Sequence, residues 1–489
     1  MVICSAVGAQ EVKTIDSTRV LTLEDALSIA LSENVSVKVA DMEITRTKYA
    51  KRGTYAALFP QVDASGAFNR TIQKQVMYMD FDMSSLGGAL GGDGSGDASG
   101  DGTGTGTGSG SGAGDDTGTT LPGGESAAGG MGNDGLEVGR WNTFSAGVSA
   151  AMPLVNAQLW ESLKISGQDV ELAVEKARSS RLEMVSQVKQ AFFAVLLAKE
   201  SLDVYEEVYD NAVENFKQTE QKYNVQKASE LDYIRAKTSV NSAIPNVYQA
   251  ENAVFLALWQ LKAVMGVDLD MDIDVAGSLG DWSETMFRDL HEHDDFDLNN
   301  SSTMRQLAIQ VEQLATAVRV QRYADIPTLS LAFSYSQNAM TNDFDFSQYR
   351  WNPYSYIGLS LNIPIFAGGK RRAAVKQAQV QYNELKLQQE NTERQLRIAI
   401  RQYLSQMETG LKSLSAAEST LETARKAYDI AAKSYNVGRS TLTDLNDAQL
   451  ALTQARLGVS QCVYNFMIAK SNLEQTLGVD YEDPSQDAR

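Results

Sequence analysis

Asp444 and Asp447 stand three residues apart, a spacing that places two carboxylates on one face of a helix. Like charges so close repel, raise one another's pKa and draw in cations; the same pair also fits a plain solvated face of an acidic chain. Other candidates for chemistry are thinner. His291 and His293, the only histidines, sit in an acidic connector without cysteine nearby, which favours a solvated loop over a metal site. Two cysteines, Cys4 and Cys462, cannot build a disulfide framework, and Cys462, among apolar neighbours, reads as a small core residue. No Gly-rich phosphate loop opens a helix, and no local sequence marks a Ser/His/Asp or Cys/His set. The expectation is a protein that is not an enzyme and uses no cofactor or metal.

Charge and hydropathy narrow the partners. Across 489 residues, 62 acidic side chains against 43 basic ones leave a net charge of −19, and no basic stripe offers a nucleic acid its phosphate contacts. Hydrophobic residues make up 43% of the chain but never form the uninterrupted run of about 18 that a spanning helix needs. Membrane contact is therefore left to strands or to a surface. Val7-Gly8-Ala9 places small residues where a signal peptidase reads, so residues 1–10 are read as a residual export signal. Ile3 precedes Cys4 where a lipid-attachment site needs a small residue, and an ordinary terminus is the plain alternative.

An internal repeat supplies the elements. Lys222-Tyr-Asn-Val-Gln-Lys-Ala-Ser-Glu-Leu-Asp232 aligns with Ser434-Tyr-Asn-Val-Gly-Arg-Ser-Thr-Leu-Thr-Asp444 at an offset of 212, which also carries Met265-Gly-Val-Asp268 onto Leu477-Gly-Val-Asp480. Pro153 matches Pro364 at an offset of 211, and Leu58-Phe-Pro60 matches Asp325-Ile-Pro327 at 267. The 56-residue difference is an insertion in the first half. Between Gly87 and Gly135 lie 21 of the 37 glycines, seven acidic residues and no Lys or Arg, a composition that cannot bury a core. This is expected to be an exposed acidic loop, dispensable for assembly.

Four prolines at matching positions, Pro60, Pro153, Pro327 and Pro364, punctuate helix-strand junctions. In the first repeat, 11–267, the pattern predicts a helix over 22–58, strands over 61–78 and 141–152 around a Gly-rich loop at 82–139, and helices within 156–267. A connector at 268–300 leads to the second repeat, 301–480, with a helix at 301–324, strands at 328–338 and 354–363, and helices within 367–478; residues 481–489 form a tail. Leu329, Leu331, Phe333 and Tyr335 alternate with small polar residues, as do Ile357, Leu359, Leu361 and Ile363, in runs about as long as a tilted membrane strand. Aromatics crowd the far ends of these runs: Tyr78, Phe81, Trp141, Phe344, Phe346, Tyr349, Trp351 and Tyr354. After Pro364, apolar positions at Val375, Ala378, Tyr382, Leu385, Leu396, Tyr403, Leu414, Leu421 and Tyr428 step by threes and fours, with lapses at Gln389, Thr392 and Gln406. That is coiled-coil packing. Four strands are too few to close a barrel, for which about eight are needed, so copies of the chain must combine. A non-channel coiled-coil surface or adhesin-like protein explains the helices equally well but leaves the strands unexplained.

From about Val20 to Asp480 the chain resembles the TolC-type outer-membrane efflux proteins. The resemblance rests on Leu21-Thr-Leu-Glu-Asp-Ala-Leu27, Leu58-Phe-Pro-Gln61, Ile363-Pro-Ile-Phe-Ala-Gly-Gly369, and Tyr435-Asn-Val-Gly438 followed by Thr441, Asp444, Leu445 and Asp447-Ala448-Gln449, in that order. It implies a mainly helical chain with a membrane β-barrel: a homotrimer whose barrel takes four strands per chain and continues into a long coiled-coil α-barrel. It further implies an outer-membrane exit duct in a Gram-negative bacterium, with the helical part in the periplasm and the connector and tail in an equatorial belt. Such a duct serves an efflux or type I secretion system and works with a periplasmic adaptor and an inner-membrane transporter. By the same resemblance, the adaptor docks on the two helical tips, at Val225, Gln226 and Ser229 and at Val437, Gly438, Thr441 and Leu445. The gate is implied to comprise Asp444 and Asp447, ringing the periplasmic entrance, with Asp232 and Tyr435 linking neighbouring coils. Ser440 stands where the family carries a linking arginine, with Arg439 beside it.

Overall fold

The computed structural model describes residues 19–77, 136–283, 286, 298–345 and 349–481. The export-signal reading of 1–10, Cys4, nearly all of the acidic loop, His291, His293, Tyr78, Phe81, Phe346 and the tail beyond Tyr481 lie outside them. The chain divides into a helical unit (Met1–Phe59, Pro153–Leu329, Leu361–Arg489) and a sheet unit (Pro60–Met152, Ser330–Ser360).

In the helical unit, α1 (Leu23–Glu33) and α2 (Val35–Ala56) precede the long α3 (Ala157–Asn224) and α4 (Glu230–Met265). After the short α5 (Gly280–Ser283) come α6 (Ser302–Arg322), α7 (Lys370–Asn436) and α8 (Leu442–Leu477). At 68 and 67 residues, α3 and α7 each run roughly 100 Å at the helical rise. The single helix expected over 22–58 is two helices. Asn34 adopts an extended backbone, φ −62° and ψ 132°, and its side chain accepts from the Ser36 amide. Its Nδ2 also donates to the Val264 carbonyl at 2.7 Å, so a tertiary bond fixes the break.

Of the stripe expected after Pro364, Ala378 and Leu414 are buried and the other positions are half-buried; Ile400 and Met407, which it did not include, are buried on α7 as well, with Ala424 and Tyr435. At the 212-residue offset, α3 presents Ser166, Val188, Val195, Leu202, Ala212 and Tyr223, of which Ser166, Val188, Val195 and Ala212 are buried. One core joins Leu27, Val188, Phe192, Phe193, Leu261, Ile400, Met407, Phe466 and Leu473. Each such fully buried side chain contributes about 1.5–3 kcal/mol. A parallel pair of three-residue strands, β1 (Arg19–Leu21) with β6 (Ile273–Val275), adds Leu21, Ile273 and Val275 to that core. Cys462 packs against it half-buried, and burial pushes its thiol pKa up.

Beside that core, α3 also makes polar contacts with α6 and α8. Gln168 Nε2 donates to Thr316 Oγ1 at 3.4 Å, Ser302 Oγ to the Glu175 carbonyl at 3.2 Å, and Ser471 Oγ to Ser186 Oγ at 3.0 Å. Glu161 is buried and accepts from Arg319 Nε at 2.6 Å and Lys164 at 2.8 Å. Burial pushes its pKa upward, but the hydrogen bonds from Lys164 and Arg319 outweigh that and leave the carboxyl lowered.

The sheet unit holds β2 (Gln61–Arg70), β5 (Asn142–Val155), β7 (Thr328–Thr341) and β8 (Asn352–Asn362) in the order β2-β5-β7-β8, with a separate β3–β4 ribbon (Gln75–Met77, Leu136–Val138). The strand expected over 61–78 is thus interrupted at 71–74. Strands β2 and β5 are antiparallel from Gln61 opposite Ala151 to Arg70 opposite Asn142. Phe68 and Phe144, an opposed pair in this register, meet tilted with centroids 4.6 Å apart, and Phe144 meets Tyr349 at 5.3 Å. Both edge strands are open: β2 is exposed at every position, and β8 at every position but one.

Candidate functional site

Two helical hairpins of the same construction form the candidate site. At the end of α3, the Gln226 amide donates to the Tyr223 carbonyl at 2.8 Å and the Lys227 amide to the Lys222 carbonyl at 2.7 Å. At the end of α7, Gly438 donates to Tyr435 at 3.0 Å and Arg439 to Ser434 at 2.8 Å. Each is a Schellman cap, which requires its penultimate residue in the left-handed region. Gly438 takes φ 76° freely, whereas Gln226 takes φ 61° as the one non-glycine residue with positive φ among the described residues.

The return helices start from matching caps. Ser229 Oγ accepts from the Asp232 amide at 3.0 Å and donates to its carboxylate at 2.7 Å. Thr441 and Asp444 form a full capping box, the Thr441 amide and hydroxyl donating to Asp444 Oδ2 at 2.9 and 2.7 Å. The Thr441 hydroxyl, and then its backbone amide, hold the Asp444 carboxyl below its ordinary range. Asp447 is exposed one turn further on.

A small core closes the hairpins together: Ala236, Tyr435, Leu442 and Leu445, with Phe216, Tyr428, Ala431 and Ala432 against them. Leu445 is 1% exposed, so its expected place on a docking surface is corrected; it is held inside by its apolar side chain. Val225, Gln226, Ser229, Val437, Gly438 and Thr441 are all exposed. The expected Asp232–Tyr435 link is also absent within the chain. Asp232 is occupied by Ser229, while the buried Tyr435 hydroxyl lies 2.7 Å from Thr219 Oγ1, and Lys222 Nζ sits 4.7 Å above the Tyr435 ring. Thr219 and Lys222 escaped the sequence reading because their partner lies more than two hundred residues away. The available signal was a threonine at a buried stripe position.

The sequence profile of the outer membrane efflux proteins matches residues 118–267 and 297–479. Outer membrane protein TolC of Vibrio cholerae is 22% identical over 354 residues, 70% of this chain and 78% of that protein. Alkaline protease secretion protein AprF of Pseudomonas aeruginosa is 22% identical over 346 residues, covering 69% of this chain and 70% of its own. Among solved structures, the Campylobacter jejuni CmeC outer membrane channel superposes with a TM-score of 0.66 at 17% identity, covering 100% of this chain and 96% of that one. CusC gives a TM-score of 0.66 at 16% identity, with 94% and 93% covered. With both of its halves matched by the profile, this chain belongs to the outer membrane efflux protein family.

Proposed function

We infer that the chain is an outer-membrane exit duct of an efflux or type I secretion system, passively conducting what an inner-membrane transporter delivers through a periplasmic adaptor. The observation that carries this reading is the open sheet. Strands β2 and β8 stand at the two edges of the four-stranded sheet, and Val62, Phe68, Ile357, Leu359 and Leu361 are exposed on them. Long exposed apolar edges invite uncontrolled pairing unless they are closed against another chain. Three copies joined β8 to β2 give twelve strands, with the apolar face of each strand toward lipid and the alternating Gly358, Ser360 and Asn362 toward a wet interior.

The hairpin tips, with Val225, Gln226, Ser229, Val437, Gly438 and Thr441 exposed, are the proposed adaptor surface. Asp444 and Asp447 are the proposed cation-selective ring, and the Tyr435–Thr219 bond takes the coil-linking role in place of Asp232. The test uses detergent-solubilised full-length protein, its mass measured by light scattering and its conductance in planar bilayers. A trimer that opens ion-conducting pores is expected. A monomeric rod without conductance would overturn the reading and favour a non-channel surface protein.

A further inference from the structure

We propose that the end of the helical unit from which the chain passes into the strands is a collar for anionic phospholipid headgroups, with Arg52, Arg322, Lys370 and Arg372 holding the phosphates. The proposal rests on the duct reading above, which puts this end beside the periplasmic leaflet of the outer membrane, and it adds the lipid class and the residues that bind it. Four segments flank the crossings: 48–60, 153–164, 316–329 and 361–376. Together they hold ten basic residues against two acidic ones, in a chain of net charge −19.

Both acids are already engaged, Glu161 by Arg319 and Lys164, and Asp325 by Arg371 at 2.9 Å. The same pairs set the segments side by side, α3 against α6 and α6 against α7. On the other flank, a Cβ added to Gly167 of α3 would lie 3.8 Å from Lys51 Nζ of α2. Lys48, Arg52, Arg322, Lys370, Arg372 and Lys376 are exposed, and among the described residues they make no ion pair. Helix polarity does not account for all of these charges. Arg319 and Arg322 complement the C-terminal end of α6, but an N-terminal end carries the opposite partial charge. Helix α7 nevertheless opens on Lys370-Arg371-Arg372, with no acidic residue in its first turn and with Gly369 as an N-cap that makes no side-chain bond. An anion from outside the chain relieves that repulsion.

Apolar side chains stand beside these cations. Ile365 and Phe366, just ahead of α7, are 90% and 86% exposed, and Phe59 is exposed where α2 gives way to β2. Trp160 is exposed one turn from Lys164 on α3, and the Arg52 guanidinium lies 5.4 Å from the centre of the Tyr49 ring. Apolar residues, then interfacial aromatics, then cations are the order in which a bilayer presents acyl chains, interface and anionic headgroups. Arginine takes a phosphate through two parallel hydrogen bonds. The neighbouring Ile365 and Phe366 separate a lipid from free phosphate, since only a lipid brings apolar surface to cover them.

Native mass spectrometry of the full-length protein, released from mixed micelles containing equal amounts of dioleoyl phosphatidylglycerol and dioleoyl phosphatidylcholine, reads the retained lipid. The wild type is expected to keep roughly tenfold more of the anionic lipid, and added inorganic phosphate is expected not to displace it. Arg52→Gln, Arg322→Gln, Lys370→Gln and Arg372→Gln together should abolish the preference, whereas Arg52→Lys with Arg322→Lys and Arg372→Lys should keep most of it. Lys412→Gln with Lys426→Gln, which removes charge further along α7, should leave it unchanged. Equal retention of the two lipids by the wild type overturns the collar, and this comparison needs no variant to fold. So does a preference that survives the glutamine variant, that is lost in the Lys412 and Lys426 control, or that inorganic phosphate abolishes, which would mark a free-anion site. Conductance of the wild type in planar bilayers is read separately: its absence overturns the duct reading, while loss of lipid preference alone overturns only the collar.

Discussion

Gln226 carries a strain that its repeat partner avoids. A side chain in the left-handed region costs roughly 1–2 kcal/mol through its Cβ, and Gly438 at the matching turn has open space and φ 76°. Gln226→Gly is therefore expected to stabilise the first hairpin by about 1 kcal/mol, less the extra chain entropy of glycine, and Gly438→Gln to destabilise the second by a similar amount. Hydrogen exchange at the Lys227 and Arg439 amides, which close the two caps, reads both effects. Asp444 adds a pH dependence. Its lowered carboxyl means that the cap's contribution is present above the unfolded pKa and fades as pH falls through the folded one. Protection of the amides at the start of α8, taken relative to the intrinsic exchange rate at each pH, should fall in acid, and Asp444→Asn should abolish that acid dependence. The αL turn could be read from the aligned repeats, since Gly438 marks the place; the Tyr435–Thr219 bond could not, because local spacing says nothing of partners so far apart.

Among the elements, strands and long helices were legible because their periods of two and three-to-four persist over many residues. The break at Asn34 was not, since the apolar stripe continues across it and only the bond to Val264 decides the matter. Nor was the β1–β6 pair, whose three-residue strands are too short to show a period. Pro245 lies inside α4, where a helix forfeits a hydrogen bond, so proline marks junctions here only in part. The C-terminal cap of α8 illustrates how packing outweighs local conformation. Gly478 has φ 74°, and a Cβ there would lie 2.2 Å from the Asn300 carbonyl oxygen. Gly438→Ala meets strain alone and should cost about 1 kcal/mol. Gly478→Ala meets strain and backbone overlap and should cost several times as much, measured as the fall in denaturant midpoint of the two variants side by side.

At the scale of the whole molecule, the acidic tip was visible in the sequence, whereas the buried polar pairs that join α3 to α6 and α8 emerge only from the fold. In the proposed trimer, three copies of Asp444 and Asp447 bring six carboxylates toward one axis. Their fields add, so the ring should favour cations and hold a multivalent one as a plug. The two residues should not contribute equally. Both are exposed, but Asp444 Oδ2 already accepts two bonds from Thr441, which tie it to its own cap. A trivalent cation added on the tip side of a planar bilayer is therefore expected to block wild-type conductance and to leave the Asp444→Asn, Asp447→Asn double variant open. Asp447→Asn alone should weaken the block more than Asp444→Asn alone. Equal block of wild type and double variant would place both carboxylates off the conduction path, on a solvated outer face of α8.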